Sequence, residues 1–312
     1  MSEIPTMNAV IQDELGGPDV LHLATVPRPT PGIGEVLVRV RAAGVNPVDA
    51  MNRQTGAFTG PPPFVLGFDV SGVVELVGPG VTIFAPGDEV FGLLPFPHGS
   101  GAYAEYVLAP ARALIEKPPA LTHEQAAALP LAGLTAWQAL VETAGLRVGE
   151  RIAITGASGG VGHLAVQIAA ARGAHVIAFA SRRDAEFVRS LGADDVLDYA
   201  TTDIADLSDL DVVLDVLGGD GPAKAVRALR PGGRLVSTLP QSLGSALMAA
   251  GEKGIEISGL FVEADRVGLL ALADLVADRR LTPTISASYP LADAASAQAT
   301  AHGPGKVVLT VQ

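Results

Sequence analysis

The chain contains no cysteine, which excludes disulfide bonds and every thiolate metal site, the four-cysteine zinc lobe among them. It also lacks a Lys/Arg cluster. Its 33 acidic side chains outnumber 21 basic ones and leave a formal charge of -12, so no cationic stripe tracks phosphates and nucleic acid is not an expected partner. No apolar stretch reaches the roughly 18 uninterrupted residues of a membrane-spanning helix, so a membrane is not an expected partner either. The amino terminus carries Glu3 and Pro5 where a secretory signal has a basic segment and an apolar core. The expected location is therefore the cytoplasm. No internal repeat or low-complexity tract is present.

What the chain does have is apolar material: 48% of its 312 residues are hydrophobic and 17% charged. A typical domain takes about 100 to 200 residues, so two domains are expected. Residues 7–117 alternate short β-branched runs with Gly and Pro. In the run Glu35-Val36-Leu37-Val38-Arg39-Val40 the valines share one face, and Val70-Ser71-Gly72-Val73-Val74-Glu75 leads to the turn signal Gly78-Pro79-Gly80. This texture indicates an antiparallel, barrel-like domain. It changes at Thr122, which with Gln125 has capping-box spacing and opens an Ala-rich helical run to about Ala139.

Beyond that point strand and helix patterns alternate: strands at 151–155 and 175–179, helices at 161–172 and 184–191. Further strands are expected at 212–215, 234–237 and 255–258, with a helix at 222–229. Such alternation implies a parallel sheet with helices on both faces, and six strands complete a doubly wound dinucleotide fold. After Phe261 a helix to about Arg280, a short helix at 291–301 and a closing strand at 306–311 form a tail that returns to the first domain. The expected division is 1–122, 123–262 and 263–312.

The most informative segment is Ile152-Ala153-Ile154-Thr155-Gly156-Ala157-Ser158-Gly159-Gly160-Val161-Gly162, a buried strand entering a Gly-rich turn and then a helix. Glycines let the main chain approach a pyrophosphate, and a helix N-terminus presents N–H groups and a positive dipole end to it. Ala157 stands where the G-x-G-x-x-G fingerprint has its first glycine. NAD specificity normally uses an Asp or Glu at the end of the second strand, about 20 residues on. That stretch here reads Ala180-Ser181-Arg182-Arg183. A hydroxyl and a guanidinium there suit the 2'-phosphate of NADPH, although Arg182 and Arg183 also fit a solvated helix start. Asp184 reads as an acid at a helix N-terminus rather than a ribose ligand.

Several ordered segments resemble the zinc-free quinone oxidoreductase branch of the medium-chain dehydrogenase/reductase superfamily over nearly the whole chain. They are Gly44-Val45-Asn46-Pro47-Val48-Asp49, Gly67-Phe68-Asp69-Val70-Ser71-Gly72-Val73-Val74, Leu134-Thr135-Ala136, the 157–162 turn, Leu191-Gly192-Ala193-Asp194 and Gly305-Lys306-Val307-Val308-Leu309. The resemblance implies an α/β protein in which a GroES-like, β-barrel-type catalytic domain built from both chain ends accompanies a Rossmann domain, with the nicotinamide in the cleft between. It implies Asn46 and Thr135 beside the nicotinamide, and Ser158, Gly159, Gly160 and Val161 at the pyrophosphate. Ser181, Arg182 and Tyr199 fall around the adenosine phosphate, and Phe261 and Val262 near the carboxamide. Zinc relatives carry a Gly-His-Glu triplet where this chain has Gly67-Phe68-Asp69. His22, His98, His123, His163, His175 and His302 show no metal-ligand spacing, so no metal is expected.

The chemistry that follows is hydride transfer from NADPH to a small-molecule acceptor, a quinone or an α,β-unsaturated carbonyl. Asn46, Asp49, Arg53 or Lys306 would orient the acceptor or balance charge growing on it. Asp49 also fits a structural acid near a turn, and Lys306 a surface position. An enone (2-alkenal-type) reductase and a non-catalytic NADPH-binding partner protein are the competing readings. Relatives suggest a homodimer joined at the Rossmann sheet edge, here through the strand at 233–239.

Overall fold

A computed structural model describes residues 5–97, 101–250, 253–300 and 303–312. His98 and His302 lie outside the described residues. The chain divides into two units: the described residues of Met1–Leu131, Glu263–Ala277 and Pro283–Gln312, and those of Ala132–Val262 and Asp278–Thr282.

The Thr122 capping box forms, with Thr122 Oγ1 accepting from the Gln125 N–H at 3.2 Å and Gln125 Oε1 from the Thr122 N–H at 3.1 Å. The helix it opens, His123–Ala127, packs on the strands Glu35–Val45 and Asp69–Val77 and so stays with the first unit. The passage to the second unit therefore falls later than the change in texture, between Leu131 and Ala132. Nor is the Ala-rich run one helix. It breaks before Pro130, which opens a new helix, Pro130–Trp137, continued by π-helical turns over Gln138–Thr143. A proline that lacks an N–H is tolerated in the first turn of a helix and not in its interior.

Among the described residues, the main sheet of the first unit runs in the order Ile285–Pro290, Lys306–Thr310, Glu35–Val45, Asp69–Val77, Glu89–Leu93, Leu114–Glu116, and Tyr106–Pro110 also pairs with Glu35–Val45. All pairings are antiparallel except the first, between the two C-terminal strands. Val36, Val38 and Val40 are buried together with Val70, Val74, Leu291 and Leu309 in one core, as their shared face requires. The C-terminal return pairs Val307 with Val45, which sets Lys306 beside Asn46, the residue preceding the helix Pro47–Thr55. The sequence texture hid this helix inside a region read as strands, and hid the strand Ile285–Pro290 and the helix Gly244–Ala250 as well.

The second unit holds six parallel strands: β1 (Arg151–Ile154), β2 (His175–Ala180), β3 (Asp195–Asp198), β4 (Leu210–Asp215), β5 (Leu229–Ser237) and β6 (Glu256–Gly259). Their spatial order, β3-β2-β1-β4-β5-β6, is that of the doubly wound dinucleotide fold, which places ligands beyond the carboxyl ends of β1 and β4 where the order reverses. Strand β3, four residues long and acidic at both ends, carries no β-branched run to reveal it. The expectation that 233–239 is a sheet edge is corrected. β5 lies between β4 and β6, and β6 is the edge on that side.

Candidate active site

Beyond β1 the main chain enters the glycine turn. Gly156 has φ +60, and Gly162 passes so close to the turn that a Cβ there would lie 2.1 Å from Gly156 O and 2.7 Å from Ala157 Cα. Both obstacles are backbone, so the approach of the helix Gly162–Ala171 to the turn depends on a bare hydrogen at 162. Ala157 is fully buried, and its N–H donates to Phe179 O at 3.0 Å, which pins the turn to β2. Gly159 is exposed while Ser158, Gly160 and Val161 are half-buried. This segment and the ten-residue helix behind it form a concave turn suited to an anion, whose charge the dipole end and first-turn N–H groups favour. His163 is no ligand in waiting: it is buried, with Nδ1 2.9 Å from Gly159 O.

At the end of β2 the Asp184 carboxylate collects hydrogen bonds from two loops. Its Oδ2 accepts from Ser181 Oγ at 2.9 Å and from Ser158 Oγ at 3.2 Å, and its Oδ1 from Arg183 Nε at 3.3 Å. Burial opposes its charge, but these donors outweigh burial and hold the carboxyl below the usual range. Arg182 is different. Its side chain is 88% exposed, with Nε 3.9 Å from Asp198, and Tyr199 is exposed nearby in sequence. Across the switch point, the buried Asp215 at the end of β4 accepts from Thr155 Oγ1 at 3.2 Å, Gly218 N at 3.1 Å and Ser237 Oγ at 2.7 Å. It thereby ties together the ends of β1, β4 and β5. Thr135 is buried in the helix Pro130–Trp137, and Phe261 and Val262 follow β6, the first exposed and the second buried.

The first unit carries a second polar cluster. Asn46 precedes the helix Pro47–Thr55, and its N–H donates to Asp49 Oδ2 at 2.8 Å. Its side chain instead turns to a buried ion pair: Nδ2 donates to Asp69 Oδ2 at 2.8 Å, and Oδ1 accepts from Lys306 Nζ. Lys306, 4% exposed, also donates to Val45 O at 3.1 Å and lies 3.6 Å from Asp69 Oδ2. Asp69 Oδ1 accepts from the Leu131 N–H at 2.6 Å. The alternative that Lys306 lies on the surface is thus set aside; its ammonium is spent inside the protein and fixes which way the Asn46 amide faces.

Asp49 sits one step further in, with Tyr103 OH donating to its Oδ2 at 3.0 Å. Gln298 Nε2 reaches Tyr103 OH at 3.5 Å, and Gln298 Oε1 accepts from Arg53, whose Nε donates to Gly16 O at 3.1 Å. Asp49 Oδ1 is buried without a hydrogen-bond partner. Burial, more than any other cause, raises the Asp49 pKa to about 7, against the Asn46 N–H that favours its charged form. Burial also pushes Asp69 up, opposed by Lys306, Asn46 and the Leu131 N–H.

The structure thus unites Asn46, Asp49 and Lys306 in one network, and gathers Ser158, Gly159, Gly160, Val161, Ser181 and Arg182 at the carboxyl ends of β1 and β2. Sequence reasoning missed Tyr103 and Gln298, which only tertiary contact reveals, and gave Asp69 and Asp215 no role. The available signal was a carboxylate inside or ending an otherwise apolar strand.

A doubly wound sheet with a pyrophosphate cradle, accompanied by an antiparallel unit holding a buried Asn-Lys-Asp cluster, defines a dinucleotide-dependent oxidoreductase. The family described as "Alcohol dehydrogenase GroES-like domain" matches residues 32–119, and that described as "Zinc-binding dehydrogenase" matches residues 191–309. The chain is 37% identical to the NADPH-dependent alkenal/one oxidoreductase of Arabidopsis thaliana chloroplasts, over 97% of this chain and 79% of that protein. It is 38% identical to the mitochondrial NAD(P)H oxidoreductase RTN4IP1 of Danio rerio over 72% of this chain, and the match spans 64% of that relative's length. The solved structure of the quinone oxidoreductase from Coxiella burnetii superposes with a TM-score of 0.92 at 35% identity, covering 99% of this chain and 100% of that one. The chain belongs to the quinone oxidoreductase branch of the medium-chain dehydrogenase/reductase superfamily.

The described residues do not fit the metal in one of those family descriptions. Cysteine is absent, no group of three or more His, Asp or Glu suited to a metal exists among the described residues, and Asp69 is already engaged by Asn46, Lys306 and Leu131.

Two outcomes follow. Gly162→Ala forces backbone apart, so it should lower stability by about 1 to 3 kcal/mol and weaken dinucleotide binding roughly tenfold, measured by denaturant unfolding and by titration. Unimpaired binding would show that the close approach is dispensable. Asp49 in the folded chain holds its proton up to about pH 7, against an ordinary value of 3.8. The folded state therefore binds the extra proton in that window, and its stability falls as pH rises through it, by a few kcal/mol in all. Asp49→Asn should flatten this part of the stability-pH curve; an unchanged slope would assign the proton elsewhere.

Proposed function

We propose that this enzyme uses NADPH to reduce a quinone or a similar electron-poor conjugated carbonyl, without a metal. The observation that carries the reading is the glycine turn at the switch point of the parallel sheet, where Gly162 lets a helix N-terminus close on the cradle. A reduced nicotinamide held by these residues would supply hydride, and a proton from solvent would complete the reduction of the acceptor.

The chain's own residues hold the reactants and manage charge. Main-chain N–H groups at 160–162 would grip the diphosphate, the Gly159 N–H being given to Gly156 O. Ser181 and Arg182 occupy the place where NAD enzymes carry a ribose-binding acid, and the exposed guanidinium of Arg182 meets the extra phosphate of NADPH. In the first unit Lys306 and Asp69 fix the Asn46 amide, leaving one Nδ2 hydrogen as a donor for charge growing on the acceptor oxygen. Lys306 is a positioning residue in this scheme. With Asp49 neutral below about pH 7, the Lys306 ammonium has a single carboxylate, Asp69, to face.

An enone is favoured as the alternative acceptor by one observation, the 37% identity to a relative named as an NADPH-dependent alkenal/one oxidoreductase. Turnover measured with matched panels of quinones and α,β-unsaturated carbonyls separates the two. A protein that binds NADPH yet oxidises it with neither panel would be a binding protein, contrary to the proposal. Arg182→Ala should weaken NADPH by about 1.5 to 3 kcal/mol, the range for charged hydrogen bonds, and leave NADH nearly unchanged. Equal losses for both cofactors would remove Arg182 from the phosphate site.

A further inference from the structure

The adenosine end of the cradle holds an acid that the dinucleotide reading does not use. Asp184 is 9% exposed and stands just after the residues that replace the ribose-binding acid. Its Oδ2 receives the hydroxyl groups of both Ser181 and Ser158, at 2.9 and 3.2 Å. A hydroxyl has one hydrogen. A carboxylate is acceptor-only, so each serine must donate its hydrogen to Asp184. Ser181 Oγ further accepts from the Asp184 N–H at 3.3 Å.

A phosphate dianion and a diphosphate also only accept. With their hydrogens committed, neither serine has anything to offer an anion, whereas a neutral ribose hydroxyl can still donate to their lone pairs. The same carboxylate adds a negative charge beside the niche and engages Arg183 Nε at 3.3 Å, although the Arg183 side chain stays 80% exposed. Arg182 is 88% exposed, and Asp198 lies 3.9 Å from its Nε.

We propose that Asp184 sets cofactor selectivity: by holding the hydrogens of Ser181 and Ser158 it withholds both hydroxyls from the 2'-phosphate, leaves recognition to exposed side chains such as Arg182, and keeps NADPH preference modest. The inference rests on the dinucleotide reading above. In Asp184→Asn the amide oxygen keeps the Ser158 hydrogen and so preserves the link between turn and strand end, while its NH2 group can donate to Ser181 Oγ instead of taking that hydrogen, and the charge is gone.

The test is direct titration of the purified chain with NADPH and with NADH, followed by the fluorescence of Trp137 or by calorimetry, so that no acceptor is needed. D184N should raise the NADPH:NADH affinity ratio by roughly five- to tenfold, with the gain on the NADPH side. Ser181→Ala alone should change NADPH binding less than about twofold, and in the D184N background should remove a large part of the gain. A ratio that stays put or falls in D184N overturns the inference, as does a Ser181→Ala substitution that by itself weakens NADPH strongly, since the hydroxyl would then be serving the phosphate. Should D184N unfold, the Ser181→Ala titration still decides. If the unaltered chain binds neither cofactor, the dinucleotide reading fails first, a result distinct from two cofactors bound at an unchanged ratio.

Discussion

The ammonium of Lys306 is buried among an amide oxygen, a main-chain carbonyl and the Asp69 carboxylate, and much of the first unit is arranged around that contact. Desolvating two charges is expensive, and the attraction between them offsets the cost only where the remaining donors and acceptors are satisfied. Here they come from separate parts of the chain: Val45 at the end of a central strand, Asn46 before a helix, Asp69 in the neighbouring strand and Leu131 at the far end of the unit. The C-terminal strand delivers the cation by pairing Val307 with Val45. A register shift by one residue would send Lys306 to the other face and strand Asp69 without a counter-charge. The polar centre thus fixes how the carboxyl-terminal return docks, and the apolar core around Val38, Val70 and Leu309 then closes about it.

The second unit uses carboxylates in the same way, without a buried cation. Asp215 joins the ends of three strands through Thr155, Ser237 and the Gly218 N–H, and Asp184 joins the glycine turn to the end of β2. Both acids satisfy donors on loops at the carboxyl ends of β1, β2 and β4. Rigid loops at the carboxyl edge of a parallel sheet are what dinucleotide binding needs, since a cradle already ordered loses less entropy when the ligand arrives.

The parts legible in the sequence were those whose signal is local. The glycine turn announces itself because a strand, a Gly-rich turn and an Ala-rich helix follow one another within a few residues, and five of the six parallel strands show apolar runs. Strand β3 does not, because an edge strand four residues long needs little apolar surface. Ser181 and Arg182 were legible as residue types at the end of a strand. That the Ser181 hydroxyl faces Asp184 was not, since it depends on where two loops meet. Likewise Tyr103 touches Asp49 across 54 positions and Gln298 touches Tyr103 across 195, distances at which no periodicity or capping rule operates. Pattern gave the scaffold, whereas the polar network depends on tertiary contact.

That network also determines which of two neighbouring acids carries charge. Asp49 and Asp69 are both fully buried, and each raises the other's cost of ionising. One lysine cannot neutralise two carboxylates, so the partners decide. Asp69 has the ammonium at 3.6 Å, an amide N–H at 2.8 Å and a main-chain N–H at 2.6 Å, spread over both oxygens. Asp49 has a phenol and one main-chain N–H, both on the same oxygen, and nothing on the other. The ammonium and the wider set of donors therefore favour charge on Asp69 over Asp49, whose Oδ1 is left without a partner. Two acids in one pocket, pushed apart by their surroundings, is the arrangement by which enzymes keep one carboxyl neutral near physiological pH. In this chain the division follows from a single strand carrying Lys306 to the side of Asp69 rather than Asp49.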